Sequence, residues 1–148
     1  MTMPKEIIII DPGLNTQSPL KTFLENEDYN ALPVNRIEDA QRKFLEFGVS
    51  GLITDCWVNQ SSTLEMARGI KKAFPEAYVV MLTHGEIRES EYEKIINAGV
   101  DDLFLKPFPV KRILLHLRKG LKLRQNLLQE KRLADHLQLN SIMMKYPG

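Results

Sequence analysis

Four polar residues that could bind a metal ion and a phosphoryl group each stand directly after a short apolar run. They are Asp11, Asp55, Thr83 and Lys106. Carboxylates are ligands that hard cations prefer, and a lysine and a hydroxyl can hold phosphoryl oxygens. Short apolar runs indicate buried parallel strands, and ligands bind where the carboxyl ends of such strands meet. The sequence therefore predicts one small site that gathers two carboxylates, a hydroxyl and an ammonium group.

The elements that must position these residues alternate between strand and helix. The predicted strands are Glu6–Ile10, Ala31–Val34, Gly51–Thr54, Tyr78–Leu82 and Asp102–Leu105. Five helices are predicted. The first opens at Ser18, the second spans Ile37–Phe47, the third carries Leu64 and Ile70 and ends before Pro75, the fourth spans Glu89–Ala98, and the fifth runs from Pro109 almost to Tyr146. This alternation predicts an α/β fold with a doubly wound five-stranded parallel sheet. Pro33 has no N–H for a strand ladder, which places the second strand at an edge.

The last predicted helix is longer than the body needs, because about 35 residues extend roughly 50 Å at the rise of an α-helix. We divide the chain into a body, residues 1–119, and a helical linker or coiled-coil extension, residues 120–148. We expect the extension to lead toward an output domain that is not present in this chain. Its apolar spacing at Leu123, Leu127 and Leu137 is that of an interrupted heptad seam. A single linker helix in solvent is the alternative.

The charge of the chain is divided unevenly. Residues 1–108 carry 11 Lys and Arg against 17 Asp and Glu, a net charge of −6. Residues 109–148 carry 9 against 2, a net charge of +7. The only aromatic side chain of the basic segment is Tyr146, so bases would find no stacking platform there. We therefore expect no direct binding of nucleic acid.

The composition is that of a soluble globular protein, with 43% hydrophobic and 26% charged residues. The single cysteine, Cys56, excludes an internal disulfide and is typical of a reducing compartment. The first residues show no signal peptide, and no apolar run reaches the length that spans a membrane. We therefore expect a cytoplasmic protein without a membrane contact.

The order of these motifs resembles the receiver domain of two-component response regulators. The most specific stretch is Ala98–Phe108, with the sequence AGVDDLFLKPF, and Met81-Leu82-Thr83 matches the hydroxyl that follows the family's fourth strand. The resemblance runs from about Lys5 to Arg118. It implies a flavodoxin-like sheet with the strand order 2-1-3-4-5 and a signalling protein rather than an enzyme.

The resemblance also implies a role for each site residue. Asp55 would be the phosphoacceptor, and Lys106 and Thr83 would hold oxygens of the phosphoryl group. Mg²⁺ would be bound by Asp11, Asp55 and the backbone carbonyl of Trp57. The phosphodonor would be a sensor histidine kinase. Phosphorylation would switch the face made by the fourth helix, the fifth strand and the fifth helix, in a phosphorelay that regulates transcription. That face or the C-terminal helix would also support a homodimer.

Several positions depart from the family pattern. Pro12 stands where receivers usually carry a second acid that binds the metal, which should weaken Mg²⁺ binding. Leu103 stands in place of a frequent aromatic, Asn59 in place of a proline and Thr63 in place of a glycine. Pro12 and Leu103 favour an alternative, a pseudo-receiver that acts by protein interaction or dimerisation without phosphorylation.

A second alternative is a phosphatase of the haloacid dehalogenase type. Such enzymes also place a nucleophilic aspartate after an apolar strand and use a threonine and a lysine. They need a second acid two residues after the first, and this chain has Gly13 there. The sequence therefore gives this alternative less support than either form of receiver.

Overall fold

A computed structural model describes residues 6–10, 17–107 and 110–145. The strands in these ranges are β1 (Glu6–Ile10), β2 (Asn30–Val34), β3 (Gly51–Asp55), β4 (Trp57–Val58), β5 (Ser61–Ser62), β6 (Tyr78–His84) and β7 (Asp102–Lys106). Five of them form a parallel sheet in the order β2-β1-β3-β6-β7. Because β4 and β5 lie outside this sheet, its order is the predicted 2-1-3-4-5. The predicted fold class is confirmed.

The helices also follow the prediction closely. They are α1 (Gln17–Asn26), α2 (Ile37–Phe47), α3 (Leu64–Ala73), α4 (Glu89–Asn97) and α5 (Val110–Lys145). Ser18, which was expected to cap the helix before a first helical residue at Pro19, lies inside α1, because the helix begins at Gln17, two residues earlier. A shift of this size is within the spread of helix boundary definitions.

Side chains that alternate along each strand divide the core between the two faces of the sheet. Ile7 and Ile9 of β1 pack with α1 and α5 on one face. Ile8 and Ile10 pack with α2, α3 and α4 on the other. Burial on both faces explains why the strands read as continuous apolar runs rather than as alternating ones.

The segment after β3 is a short antiparallel ribbon formed by β4 and β5. Trp57 pairs with Ser62 and Val58 with Ser61. Asn59 and Gln60 turn the chain with φ of 51° and 66°. Two consecutive residues with positive φ are typical of a tight hairpin turn. The buried Val58 side chain fixes the ribbon to the core, which sequence periodicity could not reveal over two residues.

Helix α5 passes very close to the sheet at Gly120. A Cβ atom built on Gly120 would lie 2.3 Å from Cζ of Tyr78. The Tyr78 ring is buried, and its hydroxyl donates a hydrogen bond to the Asp102 carboxylate. Glycine is therefore required at this crossing because the ring occupies the space of a side chain.

One helical turn after Gly120, a network of charged residues holds α5 in place. Asp101 accepts hydrogen bonds from Lys71 Nζ at 3.0 Å and from the backbone N–H of Val79 at 2.8 Å, and it forms an ion pair with Arg124. Arg124 also donates to the carbonyl of Pro75 at 2.6 Å. These contacts lie beyond residue 119, where the predicted body ends. The division into body and extension remains a prediction.

The part of α5 beyond these anchors carries side chains that the body does not cover. Leu127, Leu133 and Leu137 are each more than half exposed. Every side chain from Gln129 to Met144 is exposed. In the part of the chain that the structure describes, no helix is long and apolar enough to cross a membrane.

The buried Tyr78 should make the free energy of unfolding decrease at alkaline pH. Burial, and next the hydrogen bond to Asp102, raise the pKa of Tyr78 above its ordinary value of 10.0. The folded state therefore retains a proton that the unfolded state loses, so stability present below about pH 10 declines as the pH rises further. We expect the free energy of unfolding to fall with pH above about 10 less steeply in Tyr78→Phe than in the wild type. Equal slopes in urea titrations at several pH values would contradict this.

Candidate functional site

Three of the predicted site residues lie at the carboxyl ends of neighbouring strands. Asp55 ends β3, Lys106 ends β7, and Thr83 is the penultimate residue of β6. In the sheet register Asp55 stands beside Leu82, and Thr83 stands beside Leu105. The three residues therefore share one edge of the sheet, as predicted from the strand ends.

Lys106 reaches across the end of β6 to the Asp55 carboxylate. Its Nζ lies 3.1 Å from Oδ2 of Asp55. The two side chains are only 13% and 9% exposed. Partial exclusion of water strengthens the attraction between the charges, so the pair holds the ammonium group beside the position that a phosphoryl group would take.

Thr83 lines the same cavity of about 400 Å³ as Asp55. Burial raises the pKa of the Cys56 thiol to about 11, and the neighbouring Thr83 side chain only partly offsets this. Since the thiolate is the reactive form, the thiol beside the acceptor is a poor nucleophile at neutral pH.

Two aromatic side chains border the acceptor. The Trp57 residue is 63% exposed and lines the cavity. The imidazole of His84 is 72% exposed, and its Nε2 lies 3.8 Å from Oδ2 of Asp55. His84 was not among the predicted site residues. Its position directly after Thr83, at the end of a strand, was the available signal.

Thr63 was also missed. Its buried hydroxyl donates to the backbone carbonyl of Asp55 at 2.7 Å, and the Thr54 hydroxyl donates to the same oxygen at 3.0 Å. The only sequence signal was that a threonine replaces a usual glycine. This contact concerns the backbone of the acceptor rather than its carboxylate.

The structure describes two of the three predicted metal ligands, Asp55 and Trp57. Asp11, like Pro12, lies outside the described residues. Among residues 6–10, 17–107 and 110–145, no group of three His, Cys, Asp or Glu side chains could hold a metal ion. The donors that remain, a carboxylate and a backbone carbonyl, are hard oxygens. Such a set suits Mg²⁺, which usually keeps several waters and binds through one or two carboxylates.

The chain matches the model of a known protein family over most of its length. The family model described as "Response regulator receiver domain" matches residues 7–118, most of the chain. The chain belongs to this family. The receiver assignment made from the sequence is confirmed.

Curated relatives of this receiver domain are transcriptional regulatory proteins. It is 28% identical to the protein ResD of Bacillus subtilis (strain 168) over 124 residues, which cover 82% of this chain and 50% of ResD. It is 21% identical to the protein SrrA of Staphylococcus aureus (strain NCTC 8325 / PS 47), with 84% of this chain and 51% of SrrA covered. The receiver domain thus spans about half the length of the curated relatives it matches.

Solved structures share the fold of this receiver domain. The beryllofluoride-activated NtrC4 receiver domain dimer has a TM-score of 0.71 at 23% identity, covering 81% of this chain and 98% of that one. A CheY-like receiver domain protein from Methanospirillum hungatei JF-1 has a TM-score of 0.74 at 20% identity, covering 83% and 98%. At these identities the likeness supports the fold alone.

Proposed function

We propose that this receiver domain accepts a phosphoryl group on Asp55 from a sensor histidine kinase and passes the signal to an output domain or partner. The main support is that Lys106 Nζ lies 3.1 Å from the Asp55 carboxylate while Thr83 lines the same cavity. A carboxylate is a competent nucleophile toward phosphorus, and the product is an acyl phosphate. The ammonium and the hydroxyl are the groups such a product needs around it.

In the proposed transfer, a carboxylate oxygen of Asp55 attacks the phosphorus of a phosphohistidine. The O–P bond forms while the P–N bond breaks, and the electron pair of that bond remains on the imidazole of the kinase. Lys106 then pairs with one phosphoryl oxygen. Thr83, the penultimate residue of β6, donates its hydroxyl to another.

We also propose that Asp11, Asp55 and the Trp57 carbonyl hold Mg²⁺. When bound, Mg²⁺ offsets the negative charge that the carboxylates and the phosphoryl group bring together. Pro12 removes one carboxylate from the usual set, so we expect weaker Mg²⁺ binding than in receivers with two adjacent acids.

The signal would leave through the face made by α4, β7 and α5. Phosphorylation adds roughly two negative charges at pH 7, which is enough to bias a face that has two packing arrangements. A second copy of the chain would pair on this face or along the α5 extension, where Leu127, Leu133 and Leu137 are exposed. By analogy with ResD and SrrA, the output of the whole protein would be transcription regulation.

Mass spectrometry after incubation with Mg²⁺ and phosphoramidate tests the proposal. We expect the wild type to gain one phosphoryl group, and we expect no gain in Asp55→Asn because the amide is not a nucleophile. Removal of the metal with EDTA should also abolish the gain. A phosphoryl group found on another residue would contradict the assignment of Asp55.

The alternative function is an interaction module that is never phosphorylated, and Pro12 is the feature that favours it. No mass gain in saturating Mg²⁺, in a chain that is folded by circular dichroism, would support this alternative and overturn the proposal.

A further inference from the structure

We propose that Thr63 is a positioning residue for the phosphorylation site. Its side chain and its backbone N–H hold the two consecutive carbonyls that precede Trp57, and so set the direction of the Trp57 carbonyl toward the metal. The inference rests on the proposed function, since it concerns the same site. It assigns a role to a position where this chain departs from the family pattern.

Thr63 binds both carbonyls directly. Its Oγ1 donates to the carbonyl of Asp55 at 2.7 Å. Its backbone N–H donates to the carbonyl of Cys56 at 3.0 Å. The residue is completely buried, so water does not compete for these contacts. One residue therefore fixes the orientation of two successive peptide groups.

The hydroxyl of Thr63 does not cap a helix, although threonine at the start of a helix commonly does so. Thr63 stands at the N-cap of α3, yet its side chain makes no capping hydrogen bond. Ser62 Oγ accepts the hydrogen bond of the Leu64 N–H instead, at 3.2 Å. The side chain of Thr63 is therefore directed to the acceptor strand, and helix capping does not explain it.

The Asp55 carbonyl needs a donor from outside the sheet. The N–H of Cys56 donates to Leu82 of β6, so the backbone groups of Asp55, one residue earlier, face the opposite side, toward β1. The described part of β1 ends at Ile10, and residue 12 of the sequence is a proline, which has no N–H in any conformation. A buried carbonyl without a donor is costly, and two hydroxyls supply donors here, Thr63 at 2.7 Å and Thr54 at 3.0 Å. Of the two, only Thr63 comes from outside the strand and ties the Asp55 carbonyl to the far end of the ribbon.

The two hydrogen bonds of Thr63 to the carbonyls of Asp55 and Cys56, which we call the clamp, close the end of the β4–β5 ribbon that lies opposite its turn. Trp57 and Ser62 are the outer pair of β4 and β5, and Thr63 joins the chain that leaves the ribbon to the two residues that enter it. Trp57 follows the second clamped carbonyl directly. Its own carbonyl, the expected metal ligand, is therefore held by a rigid unit rather than by a free loop.

The experiment compares Thr63→Val with Thr63→Ser in the full chain. Valine keeps the shape and loses the hydroxyl, whereas serine keeps the hydroxyl. Binding of Mg²⁺ alone is followed through the fluorescence of Trp57, the only tryptophan. We expect about a tenfold loss of Mg²⁺ affinity in Thr63→Val, and affinity within about twofold of wild type in Thr63→Ser, because one hydrogen bond to a buried carbonyl is at stake. Faster amide exchange of residues 57–62 should accompany the loss.

A change at Ser62 provides the control. Ser62→Ala removes the capping contact at the same helix start but leaves the clamp intact, so its Mg²⁺ affinity should equal that of the wild type. If Thr63→Val binds Mg²⁺ as the wild type does, or if the wild type gives no Mg²⁺ response, the inference is overturned. If the variants differ in Mg²⁺ affinity as expected while no phosphoryl group is gained, only the proposed phosphorylation fails.

Discussion

Replacement of Gly120 by alanine is expected to lower the free energy of unfolding by about 2 kcal/mol, against the trend for helices. Alanine is favoured over glycine inside a helix by about 1 kcal/mol. The new Cβ, however, would lie 2.3 Å from Cζ and 2.5 Å from Cε2 of Tyr78. Overpacking of this kind costs up to about 3 kcal/mol, so packing decides the sign. The Tyr78 ring cannot move aside cheaply, because its hydroxyl is tied to Asp102.

Urea unfolding measures this effect, and α3 offers a matched control. Gly69 also lies inside a helix, but nothing stands within 4 Å of the Cβ it would gain. Gly69→Ala should therefore stabilise the protein by up to about 1 kcal/mol. If Gly120→Ala proved as stable as Gly69→Ala, α5 would not cross the sheet at Tyr78 in the way described.

The sequence predicted the main sheet because its signals are local. The inner strands β1, β3 and β6 are short apolar runs that are buried on both faces, whereas the edge strands β2 and β7 are partly exposed. The site was predictable for the same reason: Asp55, Thr83 and Lys106 are each the polar residue that follows such a run, and parallel strands bring their ends together.

The features that were missed depend on contacts between distant parts of the chain. Asp101 and Lys71 are separated by 30 residues, and nothing in either segment indicates that they meet. Gly120 looks like a weak point in a helix until Tyr78 is seen against it. Contacts of this kind hold α5 at Gly120 and Arg124, beyond residue 119.

At the site, residues that act on the backbone were harder to predict than residues that face the ligand. Thr63 is an ordinary threonine at the start of a helix, and only its distance to the Asp55 carbonyl reveals its role. His84 is largely exposed, but its ring also stands close to the Asp55 carboxylate. Residue type alone does not distinguish these cases.

Replacement of Lys106 by methionine is expected to slow phosphorylation of Asp55 about a hundredfold, because one charged donor to the phosphoryl group is lost. It should also lower the free energy of unfolding by about 2 kcal/mol, since removing one partner of a largely buried ion pair leaves the other charge without compensation. Methionine keeps most of the apolar stem, so lost packing contributes little. Lys111→Met, at an exposed position of α5, is the matched control and should change neither quantity.

A double-mutant cycle separates the ion pair from the other contacts of Lys106. Asp55→Asn removes the carboxylate charge while keeping its shape, so Lys106→Met should cost much less in that background. We expect a coupling free energy of about 1 to 2 kcal/mol, the difference between the two costs of losing Lys106. Contacts of Lys106 with other residues appear in both costs and cancel. Equal costs in the two backgrounds would mean that Lys106 and Asp55 do not interact, and the geometry that supports the proposed phosphoacceptor would be refuted.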